Sequence, residues 1–544
     1  MLGAMLCALL TACPDTSTGA SPKLSVSPTE ATTAPGSTQT IASSWTGSGA
    51  LRWALSGTGQ ISADSGNSVV YTAPSNISAT VIARITVTAV DAPTLTATAV
   101  ITVKPTVNAV VITTPSDTVR SGRLLNLSAS VTGSGNSDLT WRIASGKGIL
   151  STDRGASVSL TAPLVRESST TVIEVVSSVD ATKKGSLSVN VRPLINTTAP
   201  GTYHSLAVRT DGTVSSWGNN ENGQLGDGSN TNRTSPITVP DLSNVISVAA
   251  GTYYSLALKA DGTLWAWGDN ENGQLGNGSN NSQTAPTRVA NLTDVAAIAA
   301  GSDHALALKR DGSLWAWGLG SDGELGDGSL ESRNAPVRVG NLTGIVAVAA
   351  GGYHSMALRD DGTIWAWGYN ADGQLGDGTQ DNRTTPVKVK ALESITHLAT
   401  GAYHSLAVRA DGTAWGWGNN LDGQLGDGTP VNRLEPVQVK VLQGALFVAA
   451  GAAHSLAITE TGKVYAWGDN AQGQLGTGNL TPKREPAEIT TGAMNVSAGG
   501  NHSFAVLPTR LLLGWGANGF AQLGNGATQD VTSPLQLLNQ ISLP

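Results

Sequence analysis

One position of a repeated phrase holds six of the seven histidines in this chain. They are His204, His304, His354, His404, His454 and His502, and Tyr254 stands in the remaining copy. Histidines that converge on one point would suit metal binding or proton transfer. A radial repeat instead gives each unit one histidine, with a sheet between neighbours, so we expect structural histidines that are bonded within their own units. His397 lies in a repeat strand and has no equivalent.

Loops rich in Asp, Asn and Gly, such as residues 269–273, suggest a second kind of chemistry, calcium binding. Calcium loops require oxygen ligands at alternate positions and a distal glutamate, which these loops lack. Tight turns favour the same residue types. The sequence contains no nucleophile elbow, phosphate loop or zinc-ligand spacing. We therefore expect no enzyme activity, no cofactor and no metal site.

The two cysteines, Cys7 and Cys13, both lie at the amino terminus. Residues 1–12 are short and apolar, and the sequence Leu-Thr-Ala-Cys that ends at Cys13 resembles the lipobox of bacterial lipoproteins. No Lys or Arg precedes the apolar run, unlike an ordinary signal peptide. The resemblance implies a signal peptide over 1–12, a lipidated Cys13 and export to the bacterial cell envelope. Residues 13–22 then predict a flexible tether; the alternative is a buried apolar start to the first domain.

The elements that position these residues come from a repeat that begins near residue 200. Its opening glycines are Gly201, Gly251, Gly301, Gly351, Gly401, Gly451 and Gly499. Inside one copy, Asp311-Gly312 separates two alternating apolar runs, which predicts a hairpin whose two turn residues both have positive φ. Trp315 and Trp317 are two residues apart and share one face of their strand. Each copy predicts about four short strands, a sheet too small to bury its own faces, so we expect the sheets to stack radially.

Trp-Gly, a phrase of the type Gly-Gln-Leu-Gly and a downstream proline recur through residues 199–541. This pattern resembles the RCC1 (regulator of chromosome condensation) repeat family. The resemblance implies an all-β fold with a seven-bladed β-propeller over residues 194–544. The last copy stops where its final apolar strand would begin. We therefore expect residues 194–199 to supply that strand, so that the two ends of the domain build one shared blade.

Two further units, residues 23–104 and 105–193, precede the repeats. Short β-branched runs alternate with turn residues in both, which predicts β-sandwiches. The sequence Leu51-Arg52-Trp53 of the first corresponds to Leu139-Thr140-Trp141 of the second. Both units resemble the immunoglobulin (Ig)-like domains of bacterial surface proteins, without their disulfide, which implies a tryptophan between two sheets. Adhesion and a spacer role both remain open, and the spacer is favoured because no aromatic or charged cluster marks a site.

An aromatic residue precedes the repeated histidine position in several copies, at Tyr203, Tyr253, Tyr353 and Tyr403. In a propeller this loop reaches one rim of the channel, so equivalent rings would share one face. Tyr369 and Phe520, in loops that follow Trp-Gly, add to the set. We predict that these residues form a binding rim, because tyrosine offers a large, rigid contact area. The alternative is that the rings pack against adjacent blades.

Charge narrows the class of partner. Charged residues make up 13% of the chain and the net charge is −7, which disfavours nucleic acid. We expect an envelope-anchored module that binds a protein partner, with membrane contact only through the lipid at Cys13. A carbohydrate or cell-wall ligand stacked on the aromatic rings is the alternative.

The family's members suggest two further roles. Its eukaryotic namesake exchanges nucleotide on the GTPase Ran through an inserted β-wedge, and the even repeat spacing here leaves no room for one. A bacterial β-lactamase inhibitory protein with the same fold binds its target through aromatic loop residues. That second member is the closer parallel, and it supports protein binding as a class.

Overall fold

The structure is a computed structural model that describes residues 21–77, 79–120, 124–133, 138–163, 168–192 and 197–537. Across these ranges the secondary structure consists of strands joined by turns and loops, so the fold is all-β. Within the same ranges no helix has the length and apolarity needed to cross a membrane. The expected signal peptide, Cys13 and most of the tether lie outside the described residues.

The amino-terminal part contains two sandwiches, each made of two four-stranded sheets. The strands of the first are β1 (Leu24–Ser27), β2 (Glu30–Thr33), β3 (Thr38–Trp45), β4 (Leu51–Ser56), β5 (Gln60–Ile61), β6 (Ser68–Thr72), β7 (Val81–Ala89) and β8 (Ala92–Val103). Those of the second are β9 (Val107–Thr113), β10 (Thr118–Arg120), β11 (Leu124–Gly133), β12 (Leu139–Ser145), β13 (Ile149–Leu150), β14 (Ser157–Thr161), β15 (Ser169–Ser177) and β16 (Lys184–Arg192). The sheets are ordered β1-β3-β6-β5 and β2-β8-β7-β4 in the first, and β9-β11-β14-β13 and β10-β16-β15-β12 in the second.

Each sandwich buries a tryptophan in its own core. Trp53 and Trp141 are both 2% exposed. The indole Nε1 of Trp53 donates to the carbonyl of Gly66, and that of Trp141 donates to the carbonyl of Gly155, each at 2.8 Å. The surrounding strands alternate inward apolar and outward polar residues, which places one apolar face of each sheet against its partner. The tryptophan position predicted from sequence is therefore confirmed in both units.

Seven four-stranded sheets, here called blades 1 to 7, follow one another from residue 198 onward. Blades 1 to 3 contain β17 (Thr198–Pro200), β18 (His204–Val208), β19 (Val214–Gly218), β20 (Arg233–Thr238); β21 (Val245–Ala250), β22 (Tyr254–Lys259), β23 (Leu264–Gly268), β24 (Gln283–Arg288); and β25 (Val295–Ala300), β26 (His304–Lys309), β27 (Leu314–Gly318), β28 (Arg333–Arg338). Blades 4 and 5 contain β29 (Ile345–Ala350), β30 (His354–Arg359), β31 (Ile364–Gly368), β32 (Arg383–Lys388); and β33 (Ile395–Thr400), β34 (His404–Arg409), β35 (Ala414–Gly418), β36 (Arg433–Gln438). Blades 6 and 7 contain β37 (Ala445–Ala450), β38 (His454–Thr459), β39 (Val464–Gly468), β40 (Lys483–Thr490); and β41 (Asn495–Ala498), β42 (His502–Val506), β43 (Leu512–Gly516), β44 (Val531–Gln536).

The ring of blades closes differently from the prediction. Strand β17 pairs with β18 and strand β41 pairs with β42, so each blade is one continuous stretch of chain. The expected blade shared by the two chain ends is therefore wrong. Blades 7 and 1 instead meet face to face, like every other neighbouring pair: Gly500 N donates to Gly201 O at 3.1 Å, and the hydroxyls of Ser497 and Thr198 lie 3.1 Å apart.

The hairpin between the second and third strands of a blade also differs from the expected turn. In blade 1, Gly212 has a φ of +76° and Asp211 does not have a positive φ. Arg209 N donates to Thr213 O at 2.9 Å, which closes a three-residue loop that ends in a left-handed glycine. The Asp211 carboxylate accepts hydrogen bonds from both the backbone N and the hydroxyl of Thr213. The aspartate is therefore used for its side chain, and only the glycine for its backbone.

Candidate functional site

Neighbouring blades are joined by a buried set of hydrogen bonds, here called the belt. Between blades 4 and 5, His354 Nε2 lies 2.8 Å from Ser405 Oγ, which donates to the carbonyl of Gln374 at 2.9 Å. Trp417 Nε1 donates to the same carbonyl at 2.9 Å. The equivalent histidine–serine pairs are 2.8–3.0 Å apart: His204–Ser255, His304–Ser355, His404–Ser455, His454–Ser503 and His502–Ser205. The last pair joins blade 7 to blade 1, so the belt continues across the point of closure.

The predicted bonding of each histidine within its own blade is wrong, because the partner serine lies in the next blade. The opening glycine of the repeat explains the geometry. A Cβ on Gly301 would lie 2.3 Å from His304 Cε1 and 2.6 Å from the carbonyl oxygen of Gly351. The imidazole thus lies against its own glycine and points outward from its sheet to the neighbouring blade.

These histidines are structural, as the sequence predicts. All six are fully buried, and burial lowers the pKa of His304 to about 4 and the pKa values of the other five to about 3. Each ring is therefore neutral over the physiological pH range and carries no proton that it can donate as an acid. Within the described part of the chain, no three His, Cys, Asp or Glu side chains are placed to hold a metal ion.

Between blades 2 and 3, a different pair of residues replaces the histidine and serine of the belt. Its histidine position is Tyr254, and the serine expected in blade 3 is Ala305. A histidine at 254 would face a methyl group, whereas the Tyr254 hydroxyl reaches past it and donates to the backbone carbonyl of His304. Tyr254 and Ala305 therefore form a matched pair of departures from the repeat.

Two loops of each blade lie at the same end of the sheet, because the strands they join are antiparallel. In blade 1 the inner loop, residues 201–203, joins the first and second strands, and the outer loop, residues 219–232, joins the third and fourth. The seven inner and seven outer loops together form one side of the ring, here called the loop face. The hairpins that contain Asp211 and its equivalents lie on the opposite side.

Asn and Asp residues of the outer loops bond to their own loop. Asn220 donates from Nδ2 to Asp227 Oδ1 and the Thr231 carbonyl, and accepts from Leu225 N at 2.9 Å. Asp227 also binds Arg233 through two nitrogens, at 2.6 and 2.9 Å. These residues therefore hold the loop shape, as the turn interpretation of the sequence predicts, and leave their neighbours in a fixed position.

Fixed loops place the predicted aromatic residues in two clusters. In the first cluster, the rings of Tyr203 and Tyr253 are stacked with centroids 5.3 Å apart, and Phe520 meets the edge of Tyr203 at 5.0 Å. In the second, Tyr353 and Tyr403 are stacked at 5.5 Å. All four tyrosines come from inner loops of neighbouring blades.

Tyr369 completes the second cluster, since its ring meets the edges of Tyr353 and Tyr403 at 6.4 and 6.1 Å. The rings contact one another across blade boundaries and remain partly exposed, with Tyr403 and Phe520 exposed by 37% and 40%. The geometry thus combines both interpretations of the sequence: the rings pack between blades, and their outer surfaces lie on the loop face.

Blade 3 lies between the two clusters and breaks the pattern at two positions that the repeat pattern alone did not identify. Asp303 replaces the inner-loop tyrosine, and Glu324 replaces the glutamine found in the other six copies. Burial, reinforced by the charge of Asp269, raises the pKa of Asp303 to about 6. Burial also raises the pKa of Glu324 to about 7. The sequence feature that could have identified Glu324 is the substitution of Glu for Gln at a position where the other six copies agree.

The central channel is lined by the first strands of the blades and encloses about 340 Å³. Its wall is mostly Ala, Gly, Ser and Thr, and no Asp, Glu, Lys or Arg lies among the described residues that line it. His397, which stood outside the belt pattern, faces Phe447 here with ring centroids 4.3 Å apart. The described lining of the channel is therefore uncharged, and its aromatic rings are those of His397 and Phe447.

Comparison with known proteins agrees with this architecture. The crystal structure of human WBSCR16 has a TM-score of 0.56 and 24% identity, covering 60% of this chain and 94% of that chain. The structure of Kap60 bound to yeast RCC1 (Prp20) has a TM-score of 0.54 and 23% identity, covering 64% and 85%. Prp20p from Saccharomyces cerevisiae has a TM-score of 0.53 and 25% identity, covering 62% and 88%.

No curated protein matches the chain. The family model described as RCC1-like domain matches residues 176–505, which is more than half of the 544 residues. The match begins shortly before the first blade and reaches the second strand of the last one. The all-β ring of four-stranded sheets is thus a propeller of the RCC1 type, and the chain belongs to the RCC1-like domain family.

Proposed function

We propose that this chain is a non-enzymatic protein-binding module that presents the loop face of a seven-bladed propeller. The observation that carries the proposal is the pair of stacked aromatic clusters on that face. Stacking holds the rings in place before a partner arrives, so little side-chain entropy is lost on binding. Partly exposed tyrosines in fixed positions have the properties of binding hot spots.

Other exposed apolar residues on the same face extend this surface. Leu421, in the outer loop of blade 5, is 66% exposed, and Leu330, in that of blade 3, is 57% exposed. An aromatic centre with apolar neighbours and a polar margin is the usual composition of a protein-binding site. One relative supports the same class of function, since yeast RCC1 (Prp20) was solved in complex with Kap60 and its structure was also described together with its binding to Gsp1p and histones.

The rest of the chain supports display of this face at the bacterial envelope. The sequence that ends at Cys13 has the form of a lipobox, and a Pro- and Ser-containing segment follows it. We propose that Cys13 is lipidated and that the two sandwiches are Ig-like spacers that hold the propeller away from the membrane. Mass spectrometry of the protein purified from its native cells tests the anchor, because lipidation adds acyl mass to a peptide that begins at Cys13.

Site-specific photo-crosslinking tests the binding face. A photoreactive p-benzoylphenylalanine at position 403 replaces the exposed tyrosine of the second cluster, and the same residue at position 441 is the matched control. Val441 is 75% exposed and lies on the opposite side of the ring. We expect a protein adduct in native cells from position 403 and not from 441.

Three other results would oppose the proposal. Equal adducts at both positions, or adducts at 441 alone, would contradict it. Retention of the wild-type chain on a glycan array that is lost in the Tyr403→Ala variant, without protein adducts, would also contradict it and would favour carbohydrate binding.

A further inference from the structure

The charge of the loop face is one-sided. Its inner loops and the first seven residues of its outer loops contain acidic side chains and no Lys or Arg. The acidic residues are Glu221, Asp269, Glu271, Asp303, Asp322, Glu324, Asp372, Asp422 and Asp469. The arginines at the outer margin of blades 1, 3, 4 and 5, Arg233, Arg333, Arg383 and Arg433, are each held by an aspartate of their own outer loop at 2.6–3.0 Å, whereas Lys483 and Arg484 at the margin of blade 6 form no ion pair within residues 197–537. The charge of the inner part of the face, around the inner loops, is therefore negative.

None of these nine carboxyl groups pairs with a cation among residues 197–537, and Glu324 is the one of them that is fully buried. One oxygen of Glu324 accepts from Asp322 N at 2.9 Å, and the other, Oε1, has no hydrogen-bond partner. A buried carboxylate oxygen without a donor is costly, and a cation that a partner places beside the partly exposed Asp303 would offset the charge of both carboxyl groups.

In most other blades, the glutamine equivalent to Glu324 has hydrogen-bond partners for both its side-chain oxygen and its side-chain nitrogen. In blade 5, Gln424 donates from Nε2 to Asn419 Oδ1 at 2.7 Å. In blade 3, the residue equivalent to Asn419 is Leu319, which offers no polar atom. Leu319 removes the polar partner, and Glu324 introduces a carboxyl group in place of an amide. The two substitutions together therefore leave a buried carboxyl oxygen without a hydrogen-bond partner.

Aromatic rings stand on both sides of this position. Asp303 follows Tyr253 of the first cluster and precedes Tyr353 of the second in the series of inner-loop residues around the ring. Where two consecutive members of that series are tyrosines, their ring centroids lie 5.3–5.5 Å apart. Carboxylates flanked by tyrosine faces suit a planar or compact cation, which gains both charge pairing and cation–π contact.

We propose that the notch formed by Asp303 and Glu324, between Tyr253 and Tyr353, receives an arginine or lysine side chain of the protein partner. This inference rests on the proposed function and names the chemistry of what the face binds. Charge complementarity selects the occupant, because the notch is acidic and its surroundings offer it no basic residue. The partner surface is accordingly basic, with an aliphatic or aromatic margin that meets the two clusters.

The test is the binding of fluorescently labelled nona-arginine to the full chain, measured by anisotropy at fixed salt. The test variant is Asp303→Asn/Glu324→Gln, and both new residues are already used at these positions, as Asn501 in blade 7 and Gln374 in blade 4. The control variant, Glu393→Gln/Glu460→Gln, removes the same charge from exposed residues on the opposite side of the ring. An unchanged thermal unfolding midpoint, or a higher one, shows that the test variant is folded.

We expect the test variant to bind nona-arginine about ten-fold more weakly than wild type, and the control variant to stay within about two-fold. Equal losses in both variants would overturn the inference, because they would show attraction by net charge alone. Absence of binding by wild type would overturn it as well. Neither result bears on the photo-crosslinking experiment, which detects a protein partner of any charge, so the two proposals fail separately.

Discussion

The belt and the loop face are built from adjacent residues of the same repeat, yet they obey different constraints. His354 is buried between two blades and bonds to Ser405, whereas Tyr353 beside it lies on the loop face. The belt recurs at six junctions and changes only as a matched pair, at Tyr254 and Ala305. The loop face holds tyrosine, aspartate, alanine or asparagine at the position of Tyr353. Uniformity thus marks the part that closes the ring, and variation marks the part that is available to a partner.

The largest expected effect is acid unfolding through the belt. Because the folded pKa of each belt histidine lies below its ordinary value of 6.5, the unfolded chain binds more protons as pH falls from 6.5 toward 3. The stability that the belt histidines contribute is therefore complete above pH 6.5 and is lost as pH falls below it. With six histidines the slope reaches about 8 kcal/mol per pH unit, at about 1.4 kcal/mol for each proton.

Urea unfolding midpoints across this pH range measure the slope. In the variant His354→Gln we expect the slope to fall by the equivalent of one proton, about 1.4 kcal/mol per pH unit. Midpoints that do not change between neutral pH and about pH 5 would contradict neutral buried histidines.

A buried belt indole and an exposed ring of the loop face should differ strongly in their contribution to stability. Trp417→Ala removes a fully buried side chain and its bond to the Gln374 carbonyl, so we expect a loss of about 3–5 kcal/mol. Tyr403→Ala removes a partly exposed ring, and we expect a loss below about 1 kcal/mol. Denaturant unfolding of the two variants tests the contrast, and similar losses would mean that the loop face is also part of the core.

The acidic residues of blade 3 extend the comparison, because the stability that they contribute falls as pH rises, whereas the stability that the belt contributes falls as pH decreases. The folded pKa of Glu324 is about 7 and its ordinary value is 4.5, so the contribution of Glu324 to stability is highest below pH 4.5 and falls as pH rises through 7. We expect Glu324→Gln to leave stability unchanged near pH 4 and to raise it by roughly 3 kcal/mol near pH 8. The reverse change, Gln374→Glu, is the control and should destabilise blade 4 over the same range.

Calorimetric midpoints of both variants at the two pH values provide the measurement. A stabilisation by Glu324→Gln that is equal at both pH values would show that the carboxyl group is not the cause.

The smallest of these effects concerns the one altered belt junction. Tyr254→His leaves an imidazole facing Ala305 without a hydroxyl, so we expect a loss of about 1–3 kcal/mol. Tyr254→His/Ala305→Ser restores the pair found elsewhere, and we expect it to recover most of the loss, with a coupling energy of about 1–2 kcal/mol. The double-mutant cycle by denaturant unfolding gives this coupling; additive losses would show that the two departures are independent.

The sequence predicted the blades well, because Trp-Gly and Asp-Gly recur at a fixed spacing that only a stacked repeat explains. It predicted that His354 is structural but placed its bond in the wrong blade, since periodicity within one copy carries no information about which neighbour a ring reaches. The turn at Asp211-Gly212 was assigned from its dipeptide, whereas the Thr213 bonds to the carboxylate select the three-residue form.

The closure and the acidic notch could not be obtained from the repeat pattern. A shared blade was expected because the last copy is short by one strand, but three residues, Thr198–Pro200, are sufficient for a complete first blade. Glu324 for Gln is a small change in sequence, and its meaning depends on Leu319, which stands where Asn419 of blade 5 accepts a hydrogen bond from Gln424. Departures from a repeat therefore become informative when the structure shows which of them are neighbours.

The dissociation constant of the protein captured by crosslinking at position 403 tests the central claim most directly. Three proteins are compared: wild type, a variant with Tyr203, Tyr253, Tyr353 and Tyr403 changed to alanine, and a control with Val441 and Met494, exposed on the opposite side, changed to alanine. We predict that the tyrosine variant binds at least about thirty-fold more weakly, while the control matches wild type. Equal affinity of all three would contradict a binding site on the loop face.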